Sequence, residues 1–161
     1  MEIERKFLLA QLPEIVSFEV ASIEQAYISI DPEVRIRKKT ILKGKDKGKT
    51  DYKLTVKSSG TLAREEFETS VTKEFYENTL AFIGKPPITK FYEKYYDGTG
   101  LILECSIVDH NLPSHFIYGE VEFESADDAK QFVWPDPSAK DVTEDPYFKM
   151  KNYWKRTRPT E

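Results

Sequence analysis

The first seven residues carry two glutamates and a lysine on alternate positions. Glu2, Glu4 and Lys6 share one face if this segment is a β-strand, because successive side chains of a strand point to opposite faces. Neighbouring carboxylates repel each other unless a cation lies between them, and carboxylate oxygens are preferred ligands of Mg²⁺ and Mn²⁺. A lysine one step further along is placed to meet an anion that the metal also holds. A solvated strand face shows the same pattern, so this segment alone leaves both interpretations open.

The same alternation of charged side chains recurs along the chain. It is carried by Arg35 and Arg37, by Lys53 and Lys57, by Arg64, Glu66 and Glu68, by Lys90 and Lys94, by Glu104, and by Glu120 and Glu122. One such strand is usually half buried with a wet face. A set of them, sorted into basic and acidic strands, predicts a lumen with cations for phosphate oxygens and paired carboxylates for metal. Phosphoryl transfer requires that layout.

Eight strands and three helices are predicted to position these residues. Alternation of apolar and polar residues predicts strands over 1–9, 22–31, 33–42, 49–58, 62–71, 88–97, 100–109 and 116–125. Caps and stop residues predict a helix over 73–83, a second between Ser125 and Pro135, and a third that begins at Asp145-Pro146. Short strands in meander order indicate an α+β, mostly β fold. We expect a closed eight-stranded antiparallel β-barrel, a tunnel, with helices packed outside.

Composition favours one soluble domain over residues 1–161 in the cytoplasm. The chain is 32% charged and 39% hydrophobic, as in globular proteins, and it has neither a membrane-length apolar run nor a signal-peptide pattern. Its single cysteine, Cys105, allows no disulfide within the chain, which fits a reducing compartment. Neither His110 nor His115 has a second ligand at zinc spacing. We therefore expect no membrane partner and no zinc site.

The net charge of −4 conceals a polarised chain. Between Arg35 and Lys57 there are ten basic residues against two acidic ones, whereas between Leu101 and Pro146 there are eleven acidic residues against two basic ones. This distribution suggests one surface for an anion and another for a cation. Proteins that bind nucleic acid are usually basic overall, and the pI near 5.4 argues against a nucleic-acid partner.

Taken in order, these motifs resemble those of the CYTH family, the triphosphate tunnel metalloenzymes. The matching motifs are E-x-E-x-K at Glu2, Glu4 and Lys6, R-x-R at Arg35 and Arg37, the lysine-bearing strand from Lys53 to Lys57, R-x-E-x-E at Arg64, Glu66 and Glu68, E-V-E at Glu120 and Glu122, and V-T-x-D from Val142 to Asp145. The resemblance spans essentially the whole chain. The sequence departs from the family pattern at Tyr92 and Ser106, where the family often has arginine and an acidic residue.

The resemblance implies a tunnel that binds a linear triphosphate and uses Mg²⁺ or Mn²⁺ as its cofactor. Carried over by position, the metal ligands are Glu2, Glu4, Glu120 and Glu122. The phosphate-binding residues are Lys6, Arg35, Arg37, Lys53, Lys57, Arg64, Lys90 and Lys94. The catalytic residues are Glu66, Glu68 and Glu104, which would orient water or a second metal.

Three functions follow from these observations. The first is a metal-dependent triphosphatase that acts on inorganic tripolyphosphate, a nucleoside triphosphate or thiamine triphosphate. The second is a class IV-type adenylyl cyclase that converts ATP to cyclic AMP in the same tunnel. The third is a non-catalytic module that binds polyphosphate or nucleotide, against which the carboxylate set argues, because lysine and arginine alone suit a polyanion better. The partner is a small-molecule triphosphate in each case, and a homodimer is left open.

Overall fold

The computed structural model describes residues 1–159, so Thr160 and Glu161 of the predicted single domain lie outside the described residues. The strands are β1 (Glu2–Leu9), β2 (Glu19–Ser29), β3 (Glu33–Lys43), β4 (Thr50–Lys57), β5 (Ala63–Arg64), β6 (Glu66–Ser70), β7 (Ile88–Tyr96), β8 (Ile102–Val108), β9 (Phe116–Glu122) and β10 (Lys140–Asp141). The helices are α1 (Lys73–Ile83), α2 (Ala126–Gln131) and α3 (Met150–Thr157), and a 3-10 turn (Pro146–Phe148) precedes α3.

The strands form one antiparallel barrel, as the sequence predicts. Its order is β1-β9-β8-β7-β2-β3-β4, and the segment from β5 to β6 closes the ring. β6 pairs with β4, and β5 pairs with β1 through Glu2 opposite Arg64. The closure brings the first residues of the chain beside the middle of it, so that residues distant in sequence face one lumen.

Three strand predictions differ from the structure. β2 begins at Glu19, three residues before the start predicted for the strand over 22–31. The single strand expected over 62–71 is divided at Glu65, because Ser58 binds that residue twice. The Ser58 amide donates to the Glu65 carbonyl over 2.9 Å, and the Glu65 amide donates to the Ser58 hydroxyl over 2.8 Å. The chain therefore leaves β4 there and turns toward β1. The short β10, which the sequence pattern does not signal, pairs Phe7 with Asp141 at the edge of the sheet.

Two of the three helices begin at the residues that their capping residues predict. The Thr72 hydroxyl accepts from the Phe75 amide at the start of α1, and Gly84 ends that helix with a φ of 71°. The Ser125 hydroxyl caps α2 by accepting from the Asp128 amide. The start predicted for the third helix, Asp145-Pro146, is wrong, because Asp145 caps the 3-10 turn and α3 begins only at Met150. No helix within residues 1–159 is long and apolar enough to cross a membrane.

The apolar core lies outside the barrel, between the strands and the helices. One cluster joins Ala26, Ile36, Ile88 and Val108 of the strands to Tyr76 of α1 and to the buried side chains of α3. A second cluster joins Phe7, Leu103, Cys105 and Val121 to Trp134. With its apolar side facing outward, the sheet turns its charged side chains toward the lumen.

Two residues in this outer layer, Cys105 and Gly119, contribute to its packing. Cys105 is fully buried and burial raises the pKa of its thiol to about 12, so it fills space and is not a nucleophile. Gly119 permits the close approach of Trp134, because a Cβ atom at this position would overlap the indole ring. Gly119 lies between Tyr118 and Glu120, so this contact fixes the strand that carries part of the lumen wall.

Candidate active site

The barrel encloses a polar cavity of about 360 Å³. Nearly every predicted site residue lines it: Glu2, Glu4, Lys6, Arg35, Arg37, Lys57, Arg64, Glu66, Glu68, Lys90, Lys94, Glu104, Glu120 and Glu122. Lys53 is a predicted site residue that does not line the cavity. Its ammonium instead contacts the Glu68 carboxylate at 3.2 Å.

Strand register explains why the acidic residues meet. Antiparallel pairing places Glu4 of β1 opposite Glu122 of β9, and Lys6 opposite Glu120. On the other side of β9, Glu120 lies opposite Glu104 of β8. Directly opposed residues have Cβ atoms about 4.5–5.5 Å apart, so these carboxylates are neighbours even without a bound ligand.

Three carboxylates converge closely enough to hold one metal ion. Oxygen atoms of Glu2, Glu4 and Glu122 all lie within 4.8 Å of one another. Burial, together with the nearby Glu120 and Glu2 carboxylates, raises the pKa of Glu4 well above its ordinary value. Burial and the surrounding glutamates, Glu104 first among them, likewise raise the pKa of Glu122 to about 6. Crowded like charges of this kind are relieved by a divalent cation, so the donor set fits Mg²⁺ or Mn²⁺.

Glu120, the fourth predicted metal ligand, is in a different environment. It is not part of the three-carboxylate group. Burial would raise its pKa, but the Lys6 ammonium and the hydrogen bond with Glu4 outweigh burial and lower the pKa to about 2. Glu120 is therefore the ionised partner of Lys6, at the boundary between the acidic and the basic walls.

Besides Lys53, three predicted phosphate-binding residues contact carboxylates. The Lys94 ammonium lies 3.5 Å from Glu19. The Lys57 ammonium lies 3.2 Å from Glu2. The Arg64 guanidinium lies 3.5 Å from Glu2, 3.7 Å from Glu4 and 3.3 Å from Glu33. These contacts balance part of the negative charge in the cavity and hold β5 against β1.

The basic wall offers hydrogen-bond donors that the protein does not use. The Nε atoms of Arg35 and Arg37 are buried and have no hydrogen-bond partner among residues 1–159. Burial would lower the pKa of Arg35, but the nearby Tyr27 and Glu33 outweigh burial and raise the pKa above its usual range. The Arg35 guanidinium therefore stays positively charged. Unpaired buried donors destabilise a fold unless a ligand satisfies them. Two guanidinium groups with free N–H groups in a closed cavity therefore favour a polyanionic ligand.

The two departures from the family pattern form their own contacts. The Tyr92 hydroxyl donates to the Glu104 carboxylate, and the Lys39 ammonium lies 5.0 Å from the centre of the Tyr92 ring. Burial raises the pKa of Glu104, although the Tyr92 hydrogen bond opposes the shift. Ser106 is buried in the cavity wall, opposite Tyr118 in the strand register. An aromatic hydroxyl and two nearby lysines thus occupy the region where the family often has an arginine.

Sequence reasoning missed several lining residues. Glu33 and Lys39 line the cavity and continue the alternation of Arg35 and Arg37 along β3, so the same two-residue spacing could have found them. Tyr27 and Tyr118 also line it, but an aromatic residue in a strand gives no signal of an inward orientation. The segment 148–150 between the 3-10 turn and α3 reaches the cavity as well.

A barrel with apolar faces outside, and with carboxylates facing guanidinium and ammonium groups inside, defines the tunnel class of protein that the motifs indicate. No protein-family model matches the chain. The inorganic triphosphatase of Nitrosomonas europaea is 30% identical over 155 residues, which cover 93% of this chain and 94% of the relative. The chain belongs to the CYTH family of triphosphate tunnel metalloenzymes.

Solved structures agree with that assignment. The crystal structure of the inorganic triphosphatase NE1496 matches with a TM-score of 0.63 at 27% identity, covering 93% of this chain and 94% of that one. The PH1819 protein of Pyrococcus horikoshii OT3 matches with a TM-score of 0.54 at 20% identity, covering 81% of this chain and 82% of that one. The second likeness concerns the fold alone.

Proposed function

We propose that this protein is a metal-dependent hydrolase of triphosphate substrates and that the reaction takes place in the barrel cavity. One observation carries the proposal: the three-carboxylate group and two arginines with buried, unpaired Nε donors line the same cavity of the barrel. Phosphoryl transfer depends on positioning and on neutralising the charge of the phosphate oxygens, and this arrangement supplies both.

The basic side chains bind the phosphate chain in this proposal. Arg35 and Arg37 donate charge-assisted hydrogen bonds through the N–H groups that the protein leaves free. Lys6 and Lys90 add two ammonium groups from β1 and β7. Burial lowers the pKa of Lys90 well below its ordinary value, with Arg35 adding repulsion, and a bound polyphosphate would favour the charged form. Lys94, Lys57 and Arg64 provide further positive charge along the wall.

The acidic side chains hold the metal and the water. Glu2, Glu4 and Glu122 would bind Mg²⁺ or Mn²⁺, with Glu120 beside them. The metal supplies Lewis-acid polarisation of the phosphoryl group and neutralises charge that builds up during the reaction. Glu68 already accepts hydrogen bonds from Lys53 and Thr55, whereas the neighbour that shares a hydrogen bond with Glu66 is Glu2.

Glu66 is therefore the best placed of the three predicted catalytic glutamates to accept a proton from the attacking water. Burial and the hydrogen bond with Glu2 raise the pKa of Glu66, which makes it a stronger base than an ordinary carboxylate. Glu68 and Glu104 are engaged by protein donors and orient the site instead. We expect Glu66→Gln to lower the turnover rate more than it changes KM.

Inorganic tripolyphosphate is the substrate that we favour. The Nitrosomonas europaea relative is named for inorganic triphosphate, and its similarity covers nearly all of this chain. The cavity lining is dominated by charged side chains, which suit a substrate made only of phosphate groups. An adenylyl cyclase would in addition need a pocket that holds the ribose 3′-hydroxyl against the α-phosphate.

A substrate panel tests the proposal. Tripolyphosphate, ATP, thiamine triphosphate and pyrophosphate are each incubated with purified protein and Mg²⁺ or Mn²⁺, and released phosphate and cyclic AMP are both measured. We expect phosphate release, fastest from tripolyphosphate, and no cyclic AMP. Cyclic AMP without phosphate release would establish the cyclase, and binding without either product would establish the non-catalytic module.

A further inference from the structure

Tyr118 lies at the junction of the basic and the acidic walls. It is buried on β9, two residues before Glu120, and lines the cavity. Its neighbours in the register are Leu8 of β1 and Ser106 of β8. A large aromatic side chain is unusual in the wall of a charged cavity, because small barrels usually place their aromatic residues in an apolar core.

The hydroxyl of Tyr118 holds Lys90. The Lys90 Nζ atom donates to the Tyr118 Oη atom over 2.6 Å, and the Lys90 residue is only 8% exposed. Among residues 1–159, no carboxylate oxygen lies within 4.0 Å of this ammonium, although Glu120 favours its charged form from further away. A phenol is a neutral acceptor, so it fixes the direction of the ammonium without cancelling its charge.

The ring of Tyr118 holds Lys6. The Lys6 Nζ atom lies 4.1 Å from the ring centroid, within the range of a cation–π contact. The same Nζ atom donates to the Phe148 carbonyl over 2.6 Å. These two contacts of Lys6 are therefore with neutral groups, while the ionised Glu120 lies opposite Lys6 in the strand register. One tyrosine thus contacts two ammonium groups that come from β1 and β7.

We propose that Tyr118 is a positioning residue that holds the ammonium groups of Lys6 and Lys90 at a fixed separation for the phosphate chain. This inference rests on the proposed function. The argument is electrostatic: a carboxylate at this position would hold the lysines equally well but would neutralise them. A neutral aromatic residue with a hydroxyl orients both lysines without placing a second negative charge beside that of Glu120.

The hydroxyl can be removed without removing the ring. Tyr118→Phe takes away the acceptor of Lys90 and keeps the cation–π surface for Lys6. We expect the affinity for tripolyphosphate, measured by calorimetry in EDTA, to fall about tenfold, which is the size of one charge-assisted hydrogen bond. In steady-state assays with metal, KM should rise by a similar factor and kcat should change less than threefold. Tyr96→Phe is the matched control, because Tyr96 lies on the same strand as Lys90 but is 62% exposed.

A double-mutant cycle separates positioning from a merely structural role. In a Lys90→Met background, Tyr118→Phe should lower the affinity less than twofold, because the lysine it positions is gone. An equal tenfold loss in both backgrounds, or no loss in either, would overturn the proposal. The thermal unfolding midpoints of the variants establish that all are folded.

A ligand-free measurement keeps this test independent of the proposed function. In protein labelled with ¹⁵N-lysine, the Lys90 Nζ resonance should shift in Tyr118→Phe and not in Tyr96→Phe, whether or not tripolyphosphate binds. If that resonance shifts but the wild-type protein binds no tripolyphosphate, the proposed function is wrong. The contact between Lys90 and Tyr118 is then only structural, which overturns the positioning role. If the resonance does not move, the contact itself is wrong.

Discussion

Replacing Arg158 should loosen the C-terminal segment that reaches the cavity. The Arg158 guanidinium follows α3 and lies buried against Asp109, with Nη1–Oδ2 and Nη2–Oδ1 distances of 2.7 and 3.3 Å. It also donates to the carbonyls of Pro86 and Pro87. Residues 148–150, which come before Arg158 in the chain, line the cavity. This ion pair therefore affects both the stability of α3 and the geometry of the site.

The size of the effect follows from what Arg158→Ala leaves behind. Breaking a buried ion pair by removing one partner costs about 3–5 kcal/mol, because the other charge stays buried. Asp109 retains hydrogen bonds from the Tyr153 hydroxyl at 2.6 Å and the Thr89 amide at 3.0 Å. We therefore expect the lower end, about 3 kcal/mol, a large part of the ~5–15 kcal/mol stability of a typical domain.

Urea unfolding, followed through the fluorescence of Trp154 and Trp134, measures this loss. Lys155→Ala is the control, because Lys155 is exposed on the same helix, and it should change stability by less than about 0.5 kcal/mol. Burial would raise the pKa of Asp109, but the hydrogen bonds from Arg158 and Tyr153 lower it. The difference in the free energy of unfolding between wild type and Arg158→Ala should therefore have its full value above about pH 4 and become smaller as Asp109 is protonated at lower pH. A loss below about 1 kcal/mol at pH 7 would refute the reasoning.

Three further predictions concern the cavity and its support. Because the pKa of Glu122 is raised to about 6 from an ordinary 4.5, the folded protein holds this proton more tightly than the unfolded chain does. Without metal, the free energy of unfolding should therefore fall by about 1 kcal/mol as the pH rises from 4.5 to 6, a value reduced for the solvent exposure of this side chain. Urea titrations at several pH values measure this dependence, and Glu122→Gln should remove it. Arg37→Ala should raise KM for tripolyphosphate about 10–100-fold, through the loss of a charge-assisted hydrogen bond, whereas Lys45→Ala in the exposed loop between β3 and β4 should leave KM unchanged; equal losses would indicate a general electrostatic surface. Gly119→Ala should lower the free energy of unfolding by about 1–3 kcal/mol, because its Cβ would overlap Trp134, and an unchanged thermal midpoint would contradict the contact.

Strand periodicity predicted the barrel because each strand has one charged and one apolar face. The segment from Glu2 to Leu9 and helix α1 were placed within a residue of their observed bounds, since alternation and capping residues are local signals. The break at Glu65 could not be predicted in this way. It depends on Ser58, seven residues earlier, whose hydroxyl and amide only meet Glu65 once β4 has formed.

In the candidate site, too, local sequence patterns predict some features, whereas others depend on residues that are distant in the sequence. Alternating charges identified several residues of β1, β3 and β9 that line the cavity, but Glu33 and Lys39 were missed, and charge type alone did not distinguish the partners of the others. Arg64 was expected to bind phosphate and lies among three glutamates, because β5 pairs with β1, whereas β6 pairs with β4. Tyr118 carried no charge signal, and its role depends on lysines that only the closed barrel brings together.

Phosphate release from tripolyphosphate, with the metal and the carboxylates varied together, tests the central claim most directly. Glu4 contributes to the three-carboxylate group, and Glu4→Gln changes one oxygen to an amide nitrogen without changing the side chain's size. We predict rapid release by the wild type with Mg²⁺ or Mn²⁺, none in EDTA, and at least a ~100-fold loss in Glu4→Gln, on the scale of removing a group that acts on the transition state. Without metal, Glu4→Gln should be at least as stable as the wild type, because burial and neighbouring glutamates penalise the charge at this position. Undiminished phosphate release by a folded Glu4→Gln protein, or by the wild type in EDTA, would contradict the account.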